Sequence, residues 1–296
     1  RFDVVGVILS GLGMFFLVFG IQEGNSYDWS AGVWASILAG LALLVVFVYQ
    51  QSRNRGEPLV PLSLFRDRNF GLANIGISSM GFAITGVMLP IMFYAQAVRG
   101  LSPTGSALLM VPMAVLSGVL APSVGRLVDR VHPRVIAGTG FALLAIGLGW
   151  LALVMTPDVP NWQLLLPIAL VGVANAGIWS PLSATATNRL SQSQAGAGAG
   201  VYNTMRQVGA VLGSAALGAM MAARLSANGL GGGGTSEMDV AVLPEPLREP
   251  FASAMAESMW LPAVVLLVGL VASLCFERPA SQQAQRLATA EAGRPA

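Results

Sequence analysis

One charged residue lies inside a long apolar stretch of this chain, where charged residues are otherwise rare. Arg206 follows Asn203 by three residues and directly precedes Gln207, so a helix would place these polar side chains on one face. A charged side chain within an apolar span indicates a functional site by default, because removing the charge from water is unfavourable. The alternative is that Arg206 extends to the lipid headgroups and only anchors its helix. Beside this face, Gly209 and Gly213 form a small-xxx-small step that predicts close helix packing.

Other apolar stretches also contain polar or adaptable side chains. Asn175 and Trp179 are four residues apart, which puts an amide and an indole on the same helix face. Such a pair suits the wall of a cavity for an amphipathic ligand, and helix–helix hydrogen bonding is the alternative. The predicted cavity residues are Asn74, Met92, Gln96, Asn175, Trp179, Asn203, Arg206 and Gln207.

A short charged turn separates two apolar stretches between Gly125 and Arg134. It carries one acid, Asp129, among three arginines. Exposed ion pairs are each worth well under about 1 kcal/mol, so the acid can change partners when the helices rock. The turn is therefore a candidate latch, and the alternative is a solvated basic turn without a mechanical role.

The residue inventory excludes several kinds of chemistry. The chain has no lysine, which removes the phosphate-binding lysine of a Walker loop and every Schiff-base mechanism. One histidine and one cysteine, His132 and Cys275, are too few for a structural zinc site or a disulfide. Without a nucleophile–base pair or a metal cluster, we expect neither an enzyme nor a bound cofactor. A net charge of +2 is too small to indicate a nucleic-acid partner.

The elements that position these residues are membrane helices. Only 10% of the 296 residues are charged and 54% are hydrophobic, whereas about a quarter of the residues of an average soluble domain are charged. Since lipid offers no partner for free backbone groups and no alternating pattern of a barrel is present, the spans must be helical. The fold is therefore predicted to be all-α and membrane-integral, with eight spans. Their approximate limits are Val4 to Ile21, Ala31 to Tyr49, Phe70 to Ala97, Gly105 to Val124, Val135 to Met155, Trp162 to Thr185, Ala199 to Ala223 and Ser258 to Phe276.

The arginines predict the orientation of these spans. Short loops rich in basic residues stay in the cytoplasm. If Arg1 is cytoplasmic, all loop arginines except Arg99, Arg224 and Arg248 are cytoplasmic too. We therefore expect a multi-pass protein of the cell membrane with both termini of this chain in the cytoplasm. The connecting segments are predicted to be a cytoplasmic interfacial loop (51–69), an external loop (224–257) and a disordered cytoplasmic tail (277–296).

Four stretches resemble one family of membrane proteins. They are Glu57 to Phe70, the turn Gly100 to Pro103, the charged turn Gly125 to Arg134, and Gly196 to Gly209 with the sequence GAGAGVYNTMRQVG. In this order they are similar to the C-terminal portion of the fourteen-helix drug:proton antiporters of the major facilitator superfamily, the EmrB/QacA type. The first and last of these stretches are the most specific.

The resemblance implies a division of the chain and a function. Residues 1–50 would be two linker helices, and residues 70–276 would be the C-terminal six-helix bundle. Gly125, Leu127, Asp129 and Arg130 would repeat the gating hinge motif of the superfamily, with His132 where that motif has glycine. The implied activity is proton-coupled efflux of drugs or other amphipathic small molecules by alternating access.

That activity would need more than this chain. The chain begins with Arg1 and not with methionine, and no Asp or Glu lies in the middle of any span. The resemblance therefore implies a missing N-terminal six-helix bundle, and we expect that bundle to supply the proton-coupling acid. The expected partners are the lipid bilayer, protons, an amphipathic substrate and that bundle. Two alternatives stay open, namely a non-transporting assembly or regulatory protein and an exporter of one endogenous metabolite.

Overall fold

The computed structural model describes residues 3–24, 26–54, 58–128, 130–188, 190, 192–230 and 243–277, and these residues contain helices and turns but no strand. Asp129 of the charged turn, residues 231–242 of the expected external loop and residues 278–296 of the expected tail lie outside this range. In the part that is described, eight helical segments are long and apolar enough to cross a membrane. The predicted all-α fold and the predicted number of spans are therefore confirmed by these residues.

The first two helices form a hairpin that is held together by glycines. Helix α1 (Val4–Glu23) buries only Gly6, Gly13 and Gly20, which are spaced seven residues apart. Helix α2 (Ala31–Arg53) packs its backbone directly against this stripe, since a Cβ added at Gly40 would lie 2.6 Å from the Leu17 backbone nitrogen. The rest of α1 is left with an outward-facing apolar surface, as expected for a helix that faces lipid.

Helix α3 (Arg68–Phe93) is the central helix of the remaining bundle. Asp67 caps it by accepting a hydrogen bond from the Phe70 backbone N–H at 2.8 Å. A single π-helical turn continues it from Tyr94 to Val98, after Pro90, which cannot donate the usual backbone hydrogen bond. At the other end, the Asn69 side chain and the Glu277 backbone exchange two hydrogen bonds at 3.0 and 2.9 Å, which ties the start of α3 to the end of the described chain.

Two of the segments that could cross a membrane are interrupted helices. The fourth consists of α4 (Pro103–Leu109) and α5 (Val111–Val128), because Pro112 cannot donate to the preceding turn. The eighth consists of α9 (Glu245–Ser258) and α10 (Trp260–Leu274), so it begins well before the expected limit at Ser258, and Pro262 causes the break between the two helices.

Between these two spans lie α6 (Pro133–Val154), α7 (Asn161–Thr187) and α8 (Gln192–Leu225). Phe141 of α6 is fully buried, and its ring fills the space left by Gly76 of α3 and Gly269 of α10. Helix α3 contacts α7, α8 and α10, so it runs through the middle of the six-span group.

Part of the segment expected to be an external loop is helical. Helix α8 and the π-helical turn after it extend to Leu230, and α9 begins at Glu245, inside the predicted loop of residues 224–257. The start of α9 has a favourable sequence, since Pro246 stands in the first helical turn and Glu245 places an acid at the positive end of the helix dipole. Helical residues therefore enter the predicted loop from both sides, up to Leu230 and from Glu245 onward.

Candidate functional site

Helix α8 is positioned by an unusually close contact with α3. Cβ atoms added at Gly209 and Gly213 would overlap the backbone oxygens of Ser78 and Phe82. The Ser78 hydroxyl also donates a 3.0 Å hydrogen bond to the Met205 backbone oxygen. Only glycine allows the two backbones to approach this closely. The contact fixes the rotation of α8 about its own axis and so decides which of its residues face away from α3.

The polar residues of α8 lie on a face that the described residues leave largely uncovered. Asn203 and Gln207 are exposed, and Arg206 is half-buried. The Arg206 Nε and Nη2 atoms donate to Asn203 Oδ1 at 3.2 and 2.9 Å. By helical rise, Arg206 lies about 21 Å from Gln192 and about 28 Å from Leu225, near the middle of its helix. We call Asn203, Arg206 and Gln207 the polar face.

The positive charge on this face is not neutralised by any carboxylate among the described residues. A guanidinium has five N–H donors, and in this part of the chain Asn203 is the acceptor for both of the bonds that Arg206 makes. The remaining N–H groups can donate hydrogen bonds to an acceptor group of a ligand. Because Asn203 lies one turn toward the N-terminal end of α8, the guanidinium also points in the direction in which a headgroup anchor would extend.

A second polar group joins α5 to α7. The Trp179 indole Nε1 donates to Asn175 Oδ1 at 2.8 Å, and Asn175 Nδ2 donates to the Ser117 hydroxyl at 3.0 Å. Asn175 and Trp179 are both half-buried. The structure therefore brings these two predicted cavity residues together, and their polar atoms bond to each other and across the helix contact.

The predicted cavity residues of α3 do not meet at one place. Asn74 and Gln96 are separated by about 33 Å along the helix, so they cannot contact the same small ligand. Asn74 is fully buried and donates to the Phe70 backbone oxygen at 2.8 Å, whereas Gln96 and Met92 are half-buried at the opposite end. Among the described residues, the Asn74 Oδ1 atom has no hydrogen-bond partner, and the same is true of the buried hydroxyls of Thr185 and Tyr202, which sequence reasoning missed.

Two concave spaces accompany these residues. An apolar cavity of about 30 Å³ lies inside the bundle between α3, α6 and α7, with Val87, Leu148 and Ile168 among its lining residues. A larger open groove of about 500 Å³ lies between α1 and α8 and includes Gln207 in its lining. Sequence reasoning could not find this groove, because no pattern in the chain shows which face of α8 the hairpin contacts.

The described part of the charged turn has regular helix-end geometry. Leu127 is 43% exposed, and its backbone oxygen accepts hydrogen bonds from the N–H groups of Arg130 and Val131 at 3.0 and 2.8 Å. The His132 side chain caps α6 through Nδ1, which accepts from the Arg134 N–H at 3.0 Å. Gly125 lies within the last turn of α5, and Asp129 is outside the described residues, so the latch stays a prediction.

One carboxylate for which the sequence had predicted no role organises the hairpin. Asp3 accepts hydrogen bonds from the Gly6 backbone N–H at 2.9 Å and from the Gln51 side chain at 2.6 Å. These bonds hold the pKa of the Asp3 carboxyl below its ordinary value, with the Gly6 bond as the largest cause. Gln50 and Asn54 donate to the same carboxylate at 3.2 Å each. An aspartate immediately before an apolar helix is a helix-cap signal that could have identified it.

The described residues contain no group of three or more histidine, cysteine, aspartate or glutamate side chains that could hold a metal ion. The site that they do present is a polar face in the middle of an apolar helix, next to an open groove. Such an arrangement can bind a molecule with both polar and apolar parts.

Comparison with known proteins places these features in a family. Residues 2–214 match the Major Facilitator Superfamily. The chain is 52% identical over 280 residues to an uncharacterised MFS-type transporter, Rv1250, of Mycobacterium tuberculosis, covering 93% of this chain and 48% of that protein. It is 30% identical over 228 residues to the multidrug resistance protein Stp of the same species, covering 77% of this chain and 42% of Stp.

A third relative is the cephamycin export protein CmcT of Amycolatopsis lactamdurans, which is 31% identical over 225 residues, covering 73% of this chain and 45% of CmcT. The chain thus spans about half the length of these curated relatives. The match over residues 2–214, the eight apolar helical segments and the similarity to MFS-type transporters lead to one conclusion: this multi-pass membrane chain belongs to the major facilitator superfamily.

Proposed function

We propose that this chain is the C-terminal part of an exporter that moves amphipathic small molecules out of the cytoplasm in exchange for protons. The observation that carries the proposal is the polar face of α8, where an Arg206 guanidinium without a carboxylate partner among the described residues lies inside a helical segment long and apolar enough to cross a membrane. A charged group kept at this depth needs a functional reason. Relatives named for multidrug resistance and for cephamycin export support export as the direction and small molecules as the cargo.

The rest of the transport path would come from outside this chain. In this proposal, α1 and α2 are the linker pair, residues 70–276 are the C-terminal bundle, and a six-helix N-terminal bundle completes the central cavity. The polar face would form one wall of that cavity, with the coupling acid on the opposite wall. The charged turn from Gly125 to Arg134 would steady one conformation while the two bundles rock.

Replacement of Arg206 tests this function. In cells that express the complete reading frame, we expect Arg206→Ala to abolish export of an amphipathic dye while the protein stays in the membrane at an unchanged level. The matched control is Arg224→Ala, which removes an arginine from the outer end of the same helix, where it pairs with Glu257 at 3.0 Å. Unchanged export by Arg206→Ala would identify Arg206 as a headgroup anchor.

Proton coupling needs a separate measurement. We expect export to stop when the proton gradient is collapsed, and export that survives full collapse would contradict the coupling. A protein that transports no compound in any context but purifies with a stable membrane partner would instead be an assembly or regulatory protein. Export of a single compound from a broad panel would favour the metabolite exporter.

A further inference from the structure

The groove between α1 and α8 has the size and lining of a small-molecule site. Its volume of about 500 Å³ falls within the range of about 300–1,000 Å³ that ligand pockets occupy. None of the ten described residues that line it is charged. On the α1 side, the rings of Phe15 and Phe19 stack at a centroid distance of 5.9 Å and stay 58% and 43% exposed. This wall offers an uncharged aromatic surface that the described residues leave open.

The α8 side of the groove adds hydrogen-bonding groups. Thr204 and Gln207 both line the groove, and neither side chain makes a hydrogen bond within the described part of the chain. Their spacing of three residues places them on one face of the helix. A ligand in the groove can therefore satisfy a hydroxyl and an amide while its apolar part covers the rings of α1.

Gln207 belongs both to the polar face and to the lining of the groove. It lies four residues after Asn203, which belongs to the polar face, and four residues before Val211, which lines the groove. Side chains four residues apart are neighbours on a helix surface. A molecule held in the groove is thus one side chain away from the residues of the proposed transport cavity.

We propose that this groove is a membrane-side access site for uncharged, aromatic amphipathic small molecules, which pass from it to Asn203 and Arg206 along Gln207, the residue that the groove shares with the polar face. The access role rests on the proposed function, whereas the binding itself does not. Small molecules fit the groove better than phospholipids do, because Gln207 lies about 12 Å from Ala199 and about 24 Å from Ala223, the predicted ends of this span. A phospholipid keeps its headgroup at the bilayer surface and would leave these mid-depth polar groups facing acyl chains, which is unfavourable.

Photolabelling of the chain in phosphatidylcholine nanodiscs tests the binding. The probe is 4-(hydroxymethyl)benzophenone, which is uncharged and combines an aromatic body with one hydroxyl group, and the labelled peptides are located by mass spectrometry. We expect labelling to concentrate on the groove segments of α1 and α8. Labelling spread evenly over all lipid-facing helices would overturn the proposal.

Two substitutions sharpen the test. Val211→Trp fills the groove from a side chain that is 41% exposed, and we expect at least a tenfold loss of groove labelling. Val119→Trp makes the same change on α5, away from the groove at a position 67% exposed, and should leave the labelling unchanged. Gln207→Leu keeps the size of the side chain and removes its hydrogen bonds, so we expect a loss of about tenfold. Full labelling of the Val211→Trp or the Gln207→Leu variant would contradict the proposed contacts.

Further measurements distinguish a lipid from a small molecule in the groove, and distinguish binding in the groove from a role in transport. Displacement of the probe by added dioleoylphosphatidylglycerol would show that the groove binds lipid and would refute the commitment to small molecules. Normal export by the complete protein carrying Val211→Trp would refute the access role while leaving the proposed function intact. Absence of export with normal photolabelling would refute the proposed function and leave the binding site in place.

Discussion

Arg206 shows which features of the candidate site can be predicted from residue types and their spacing. Its position inside an apolar stretch and its spacing from Asn203 are visible in the sequence, and the structure places both on one side of α8 with the two side chains bonded to each other. The absence of a carboxylate partner within the described residues could not be predicted, because it depends on which helices surround α8. The buried polar atoms of Asn74, Thr185 and Tyr202 likewise depend on helix packing that no local pattern encodes.

Asp3 leads to a prediction about pH. Because its pKa is lower in the folded protein than in an unfolded chain, its hydrogen bonds stabilise the fold above the ordinary carboxyl pKa of about 3.9. This stabilisation is lost as the pH falls through the lower, folded-state pKa. We expect Asp3→Asn to reduce the free energy of unfolding at neutral pH, and the difference from the unsubstituted chain to disappear in strong acid.

Unfolding of the purified chain between about pH 2 and pH 7, followed by circular dichroism, measures this effect over the range in which the carboxyl titrates. Asp28→Asn, in the turn that joins α1 to α2, makes the same change away from the Asp3 hydrogen bonds and is the control. An Asp3→Asn variant whose stability matches that of the unsubstituted chain at every pH would contradict the role of the Asp3 hydrogen bonds.

At the scale of helices, an apolar run in the sequence predicts that a membrane-crossing segment exists better than it predicts whether that segment is one unbroken helix. All eight spans could be expected from length and hydrophobicity, and Pro112 indicated an interruption near Met110. The break at Met259, which Pro262 causes, was not expected. The sequence did not predict helix α9, because its charged residues distinguish it from the apolar runs. Its amphipathic character stabilises a helix only when another helix covers one side, and α8 packs against it. Packing partners decide these cases, and the partners are distant in sequence.

The contact between α3 and α8 predicts unequal effects of similar substitutions. We expect Gly213→Ala to destabilise the bundle by about 1–3 kcal/mol, because the new methyl group would overlap the Phe82 backbone, which cannot rotate away. Gly218→Ala, in the same helix, has open space around its Cβ and should be neutral or slightly stabilising, since alanine favours helices. Denaturation of both variants in mixed micelles checks this difference, and equal stabilities would show that the two helices separate easily.

At the scale of the whole chain, the arginine distribution predicts which helix ends face the cytoplasm. Labelling of the natural cysteine can test this orientation. Cys275 is exposed just after α10, at the end of the chain expected to be cytoplasmic. We expect a membrane-impermeant maleimide to label it in permeabilised cells but not in intact cells. In a Cys275→Ser background, Ser226→Cys lies exposed just after α8, at the end expected to be external, and should show the opposite behaviour. Labelling of Cys275 in intact cells would reverse the orientation.

The family of the chain could be anticipated from four short stretches, whereas the arrangement of the hairpin against the bundle could not. The match over residues 2–214 bears out membership of the superfamily. The contact of α1 with α8, and hence the groove, depends on apolar surfaces that are compatible with many arrangements, so the sequence alone does not select one.

The glycine stripe of α1 has a consequence for how this helix can evolve. Gly6, Gly13 and Gly20 are its only buried residues, and a methyl group at any of them would collide with Gln51, Leu44 or Ile37. The information that specifies the hairpin is thus concentrated at three positions, and most intervening positions need only remain apolar. Drift at those positions can reshape the α1 wall of the groove without disturbing the hairpin, so related chains can diverge in what they bind while keeping the same architecture.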